Sequence, residues 1–388
     1  MKNRPRRTWS LALRRRLAPL ALGLATGLTI GLGAPIELFA AGEADQSGLP
    51  EAQPQALIEA AAAFSAAQTQ TDAAEQAKLM SKAQTTLEAF LNDNPTHKDA
   101  VLAQFQLGIV VLTKGKIDFA TSKQTAAEAD REALVDSART KFREAERQFT
   151  TVVDQLTQLT KSNPQLIQGL NASEKEIRRR QRFLGNYIQA QFSHAEAVEV
   201  LAATYALDSA EARENYQTAA DRYDRLYKNY RTLLAGLQAR VKEGECYKNL
   251  NEPRRALGIL TDITSQPDLK PLHKLRVTAM YLSQECWNLE REKMYQLAFS
   301  EGEEYLAGLP SEEEMWPEWH AVRYQTARGY LLAATEKPKD GAANPNRAEW
   351  LAKSREHAGK LAEQPGAYQA SAQGLLGELT KLDAAGAK

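Results

Sequence analysis

The sequence is poor in the residues from which active sites are most often built. Only two cysteines, Cys246 and Cys286, and five histidines occur in 388 residues. The cysteines stand too far apart for metal-ligand spacing. His97, His194, His273, His320 and His357 never fall within a helical turn of one another, so no HExxH pair exists. The nucleophile elbow GxSxG, the phosphate loop GxxxxGK followed by Ser or Thr, and the dinucleotide fingerprint GxGxxG are all missing. His194-Ala195-Glu196 matches the first half of a zinc-deaminase signature, but its second half, PCxxC, is absent. Pairs of acidic residues are plentiful, and on helices such pairs serve solvation. The sequence therefore offers no catalytic residue, no metal ligand and no cofactor-binding residue, and no cofactor is expected. Glycine and proline are also sparse, at 22 and 15 residues. Runs of Val, Ile and Thr at period two are hard to find, which excludes sandwiches and barrels and leaves an all-α protein.

The formal net charge is zero, with 49 basic and 49 acidic residues, but the balance is uneven along the chain. Residues 1–40 hold Lys2, Arg4, Arg6, Arg7, Arg14, Arg15 and Arg16 against the single acid Glu37. The remainder keeps 42 basic and 48 acidic residues. A mildly acidic body is a poor general binder of nucleic acid, and none is expected as a partner. The basic start is followed by an uncharged apolar run over residues 17–36, and Leu38-Phe39-Ala40 then offers a cleavage site before Ala41. This pattern resembles a bacterial export signal. A run of about 20 residues also spans a bilayer as a helix, so residues 1–40 are read as a signal peptide or as a single uncleaved membrane anchor. Either way the body is expected outside the cytoplasm, in the periplasm or cell envelope. Arg6-Arg7-Thr8-Trp9-Ser10-Leu11 faintly resembles a twin-arginine signal, with Trp9 in place of the expected Phe. Residues 41–54 are polar and read as a linker.

From residue 55 onward, apolar residues recur at helical spacing in segment after segment. Each segment is closed by a stop such as Asn92-Asp93-Asn94-Pro95, Ser162-Asn163-Pro164 or Pro365-Gly366. The most regular stretch is 237–267. Leu237, Val241, Gly244, Tyr247 and Leu250 form one helical stripe; Asn251-Glu252-Pro253 is a turn; Ala256, Leu257, Leu260 and Ile263 form the facing stripe. A mid-helix glycine costs about 1 kcal/mol against alanine. Gly244 thus predicts close approach by the second helix, with the small Ala256 opposite it. A second window carries Leu107-Gly108 and, after a predicted turn at Gly115-Lys116, Ala120. Residues 121–136 read as a polar insertion, and 137–160 as the partner helix. The tyrosine series Tyr216, Tyr223, Tyr227 and Tyr230 reads as helix-packing surface, and Arg178-Arg179-Arg180-Arg182 as a solvated face. Cys246 and Cys286 fall at similar offsets in adjacent hairpins, either as buried free thiols or as a bridge that export would permit.

The Gly244, Tyr247 and Ala256 spacing, echoed by Gly108 and Ala120, resembles the tetratricopeptide repeat, a helix–turn–helix unit of 34 residues. Arg240 and Asp268 stand where that family carries an aromatic residue and a proline. The resemblance implies a helical-hairpin solenoid over residues 55–388 that holds protein or peptide partners against its first helices. Carried over by position, the partner-binding candidates are Gln238, Val241, Glu245, Lys248 and Asn249, with Leu102, Phe105, Ile109 and Leu112 in the second window. The expected function is that of an exported, non-enzymatic scaffold in the bacterial cell envelope. The alternatives are a helical-toroid enzyme acting on polysaccharide, for which Trp316, Trp319, Tyr324 and the acids Glu312, Glu313 and Glu314 would form the site, and a self-associating structural protein.

Overall fold

The computed structural model describes residues 54–166, 174–289, 291–336 and 344–386. The export or anchor reading of residues 1–40 and all but the last residue of the linker lie outside them. The fold is all-α, and no strand occurs among the described residues. The chain divides into two compact units, one ending at Ala239 and one beginning at Arg240.

The first unit opens with α1 (Gln55–Thr69) and α2 (Ala73–Asp93). Asp72 caps α2 by accepting from the Glu75 amide at 2.8 Å, which satisfies one of the orphan donors of the first turn. Leu57 and Phe64 of α1 meet Met80 and Leu87 of α2 in one buried cluster. α3 (Ala100–Ser122) and α4 (Glu128–Ser162) form the most extensive pairing of the unit. Here the structure departs from expectation. α3 runs unbroken through Gly115-Lys116, so there is no turn and no second hairpin of the expected form, and most of the supposed insertion belongs to α4. The glycines serve packing instead. A β-carbon at Gly108 would come within 2.6 Å of the Phe149 ring, and one at Gly115 within 2.6 Å of the Phe142 ring. Both pairs are seven residues apart and run antiparallel, so two phenyl rings seat in two glycine notches at the same register. Full burial of each ring stabilises the unit by about 2–3 kcal/mol.

α5 (Glu174–Ala202) and α6 (Ala210–Tyr230) follow, with Ser209 capping α6 through the Ala212 amide at 3.1 Å. Tyr216 and Tyr223 are buried, and the Tyr223 hydroxyl donates to Glu199 at 2.6 Å, in keeping with a packing stripe. Arg222 joins three helices, donating to the His194 carbonyl at 2.8 Å and to Glu146 of α4 at 2.7 Å. Arg178 and Arg179 are exposed. By length and composition α3 is apolar enough to cross a membrane, and half of its most apolar window is buried inside the unit.

α7 (Leu234–Asn249) crosses the boundary between the units. The second unit holds its residues from Arg240 onward, then α8 (Pro253–Thr264), α9 (Lys270–Trp287), α10 (Tyr295–Ala307), α11 (Pro317–Thr335), α12 (Arg347–Glu363) and α13 (Gln369–Gly386). From α8 on, each helix packs on its neighbours in sequence, and α9 also packs on α11. The turn after α7 is left-handed at Asn251 (φ 65°), and the Glu252 amide reaches back to the Tyr247 carbonyl at 2.9 Å, a Schellman-type stop. Pro253 takes the first turn of α8. Gly244 is closed over by Leu260, 2.8 Å from a would-be β-carbon, and not by Ala256 as expected. α13 continues as far as Gly386. Glu312 and Glu313 form a 3₁₀ turn (Ser311–Glu313) ahead of α11.

Candidate partner-binding face

The first helices of the hairpins in the second unit are α7, α9 and α11. Charged side chains link them in series. Lys242 pairs with Glu245 at 2.8 Å along α7, Lys248 reaches across to Glu285 on α9, and the other Glu285 oxygen lies 3.5 Å from Gln325 Nε2 on α11. Glu245 and Glu285 stand forty residues apart, at matching places on α7 and α9. Burial works against the Glu245 carboxylate, but Lys242 and Lys248 outweigh it and hold its pKa below the ordinary glutamate value. Burial likewise opposes the Lys248 ammonium, but Glu285 and Glu245 outweigh it and raise its pKa. Both groups therefore stay charged through neutral pH.

Tyrosines accompany this ladder. Burial, then the fields of Glu245 and Glu285, push the Tyr281 phenol far up. Tyr368 is pushed up to about 12 by burial, Glu285, Tyr324 and Glu318. Its ring lies 5.3 Å from that of Tyr324. Neutral phenols and permanently charged ion pairs make hydrogen bonds and fields of fixed sign. The Tyr281 and Tyr368 phenols keep their protons at neutral pH, and the Glu245 carboxylate and Lys248 ammonium keep their charges.

Of the five residues proposed from sequence, the structure brings Glu245 and Lys248 onto this ladder, and Asn249 is half-buried beside them on α7. Val241 and Gln238 are buried, at 3% and 7% exposure. In the other window Phe105 and Leu112 are buried, and Leu102 and Ile109 pack against the same core. Phe105 and Leu112 thus lie inside the first unit, while Leu102 and Ile109 remain partly exposed at its edge. Tyr281, Glu285, Gln325 and Tyr368 were missed. The forty-residue recurrence from Glu245-Cys246-Tyr247 to Glu285-Cys286-Trp287 was the signal that marked Glu285.

The residues proposed for a polysaccharide site are differently placed. Trp319 is buried, and its indole N–H donates to Glu313 at 3.0 Å. Glu313 also lies 3.0 Å from His273 Nε2, and His273 Nδ1 lies 2.8 Å from Asp268, which Arg276 holds at 2.8 Å. Asp268 is held in an ion pair by Arg276, Glu313 accepts from the Trp319 indole, and Glu312 and Glu314 are exposed. Cys246 and Cys286 are both buried free thiols, and burial above all pushes the Cys286 thiol up to about 12, which removes its nucleophilic form at neutral pH. No group of three or more His, Cys, Asp or Glu among the described residues could hold a metal ion. No protein-family model, no curated protein and no solved structure matches the chain.

Proposed function

We propose that this protein is a non-enzymatic scaffold, a tetratricopeptide-like solenoid of helical hairpins that holds a protein or peptide partner against its first helices. The observation that carries the reading is the ladder Lys242–Glu245, Lys248–Glu285–Gln325 with its flanking tyrosines, spread over three successive first helices. Packing of each helix on its sequence neighbours supports the solenoid, since such units bury their apolar faces only by stacking. Paired charges and phenols at half-exposed positions give an extended peptide both donors and acceptors without demanding one net charge. The composition of residues 1–40 supports export to the cell envelope, where the partner would be met.

The test is a cross-linking pull-down from the envelope fraction, with the tagged chain carrying its own first forty residues. A partner recovered reproducibly, and lost from the double charge reversal E245K/K248E at unchanged helix content, supports the reading. Recovery unaffected by that variant removes the ladder from the binding face. Mass spectrometry of the same sample reads the N-terminus, expected near Ala41 for a cleaved leader and at Met1 for an anchor.

A further inference from the structure

The Asp268, His273 and Glu313 cluster stands apart from the proposed face and carries its own inference. His273 lies in the first turns of α9. Asp268 belongs to the turn that leads into α9, and Glu313 to the 3₁₀ turn that leads into α11. Nδ1 of the ring lies 2.8 Å from Asp268 Oδ1, and Nε2 lies 3.0 Å from Glu313 Oε2. A neutral imidazole has one N–H and one lone pair. Facing two carboxylates, it satisfies one and sets its lone pair against an oxygen of the other. Only the imidazolium is attracted to both.

We propose that His273 is a proton-operated clasp: as a cation it ties the Asp268 turn and the Glu313 turn together, and loss of its proton releases the Glu313 side. Glu313 is the side released because the Nδ1 contact is the hydrogen bond, whereas Nε2, which is buried, meets Glu313 at ion-pair distance without hydrogen-bond alignment. The Nε2 contact is held by charge alone. The surrounding groups leave this balance in place. On α9 itself, Arg276 pairs with Asp268, while Lys274 pairs with Glu318 of α11 at 3.1 Å and lies over the Trp316 ring. From α11, Trp319 donates to Glu313 and fixes the carboxylate toward the ring. From α10, Tyr305 lies beneath Arg276, and its phenol feels Glu301. Glu312 and Glu314, exposed on either side of Glu313, add negative field. Two carboxylates thus touch the imidazole. The Asp268 carboxyl is held below the usual range, first by His273 and then by Arg276, so it remains charged wherever the imidazole titrates. The sign follows. The clasp is closed while His273 is protonated and Asp268 is ionised, and it opens as pH rises through the titration of His273. The inference does not depend on the scaffold reading, because it needs only the two turns and the ring between them.

The indoles of Trp316 and Trp319 lie with ring centres 6.4 and 5.9 Å from the imidazole, and a protonated imidazole quenches indole emission. The experiment follows tryptophan emission of the full chain from about pH 5 to about pH 9, the range in which histidine titrates. The ring resonances of His273 and amide exchange over residues 311–316 are recorded on the same samples. The expected result is a rise in emission at the pH where the His273 resonances titrate, and exchange at 311–316 that reaches the rate of H273Q above that pH. H273Q is expected to lose the step while keeping the imidazole of His320 on α11. Should H273Q fail to fold, E313Q serves: the Trp319 bond survives, and exchange at 311–316 is expected to lose its dependence on pH. A step of equal size in H273Q, or wild-type exchange at 311–316 that does not change with pH, overturns the clasp. So does exchange in E313Q that keeps the wild-type pH dependence.

Discussion

Two neighbouring hairpins solve one packing problem in opposite ways. In the first, Gly244 on α7 admits Leu260 of α8; in the second, Gly302 on α10 admits Gln284 of α9 and Thr326 of α11. Gln284 Nε2 donates to Thr326 Oγ1 at 3.0 Å and to the Ala298 carbonyl at 2.8 Å, so the notch at Gly302 houses a buried polar junction of three helices. A β-carbon at Gly302 would overlap both side chains. Gly302→Ala is expected to destabilise the protein by about 1–3 kcal/mol through overpacking, more if the junction is broken. Gly258, exposed in mid-α8 with nothing near a would-be β-carbon, gives the opposite sign: Gly258→Ala is expected to add about 0.5–1 kcal/mol. Urea midpoints of the two variants read both effects. Gly244 was legible because a lone glycine on an apolar stripe needs a reason. Gly302 was not, since the sequence around it, Ser300-Glu301-Gly302-Glu303, carries no apolar frame. His194 adds a pH term of its own. Burial, with Arg222 and Arg225 nearby, lowers its pKa to about 3, so the folded ring stays neutral where an unfolded one, with a pKa of about 6.5, takes a proton. Its contribution is present above that unfolded value and is lost as pH falls toward the folded one. Denaturation midpoints are expected to decline as pH falls below about 6.5 in the wild type, and less steeply in His194→Gln.

Elements were legible where one stripe and one strong stop agreed. α2 ends just before Asn94-Pro95, α8 begins at Pro253 and α12 ends just before Pro365, because these stops leave the backbone little choice. Reading failed at Gly115-Lys116, where glycine suggested a turn but Ile117 and Phe119 continue the packed stripe of α3 and Phe142 fills the notch. It failed again between residues 128 and 136. That acidic, alanine-rich stretch has no apolar period to announce a helix, yet it extends α4 by more than two turns. In the turn after α9, Lys293 stands in the left-handed region (φ 49°), as Asn251 does in the turn after α7. Arg291 of the second turn donates to the Asn251 carbonyl of the first. A lysine there lacks asparagine's tolerance of that conformation. Lys293→Gly is expected to raise stability by about 0.5–1 kcal/mol, after loss of an exposed pair with Glu336 is counted, as measured by thermal midpoint and urea titration.

At the scale of the molecule the helical class could be read from periodicity, and within each unit helices that follow one another in sequence pack on one another. The proposed partner face was harder to read. Its members come from three helices, and their common property, paired charge beside tyrosine, leaves no local pattern. Glu245 and Lys248 were reached through the resemblance of a single hairpin, and only the forty-residue recurrence points to Glu285. The central claim is that the first helices of the second unit bear a partner. The most direct measurement places a photo-activated cross-linker at Lys242, Tyr281 or Tyr324 on that face, and at Arg255 or Gly258 on the exposed side of α8, in cells. The account predicts one adduct of constant mass from the first three positions and none from the last two. Adducts from both sets, or from α8 alone, would contradict it.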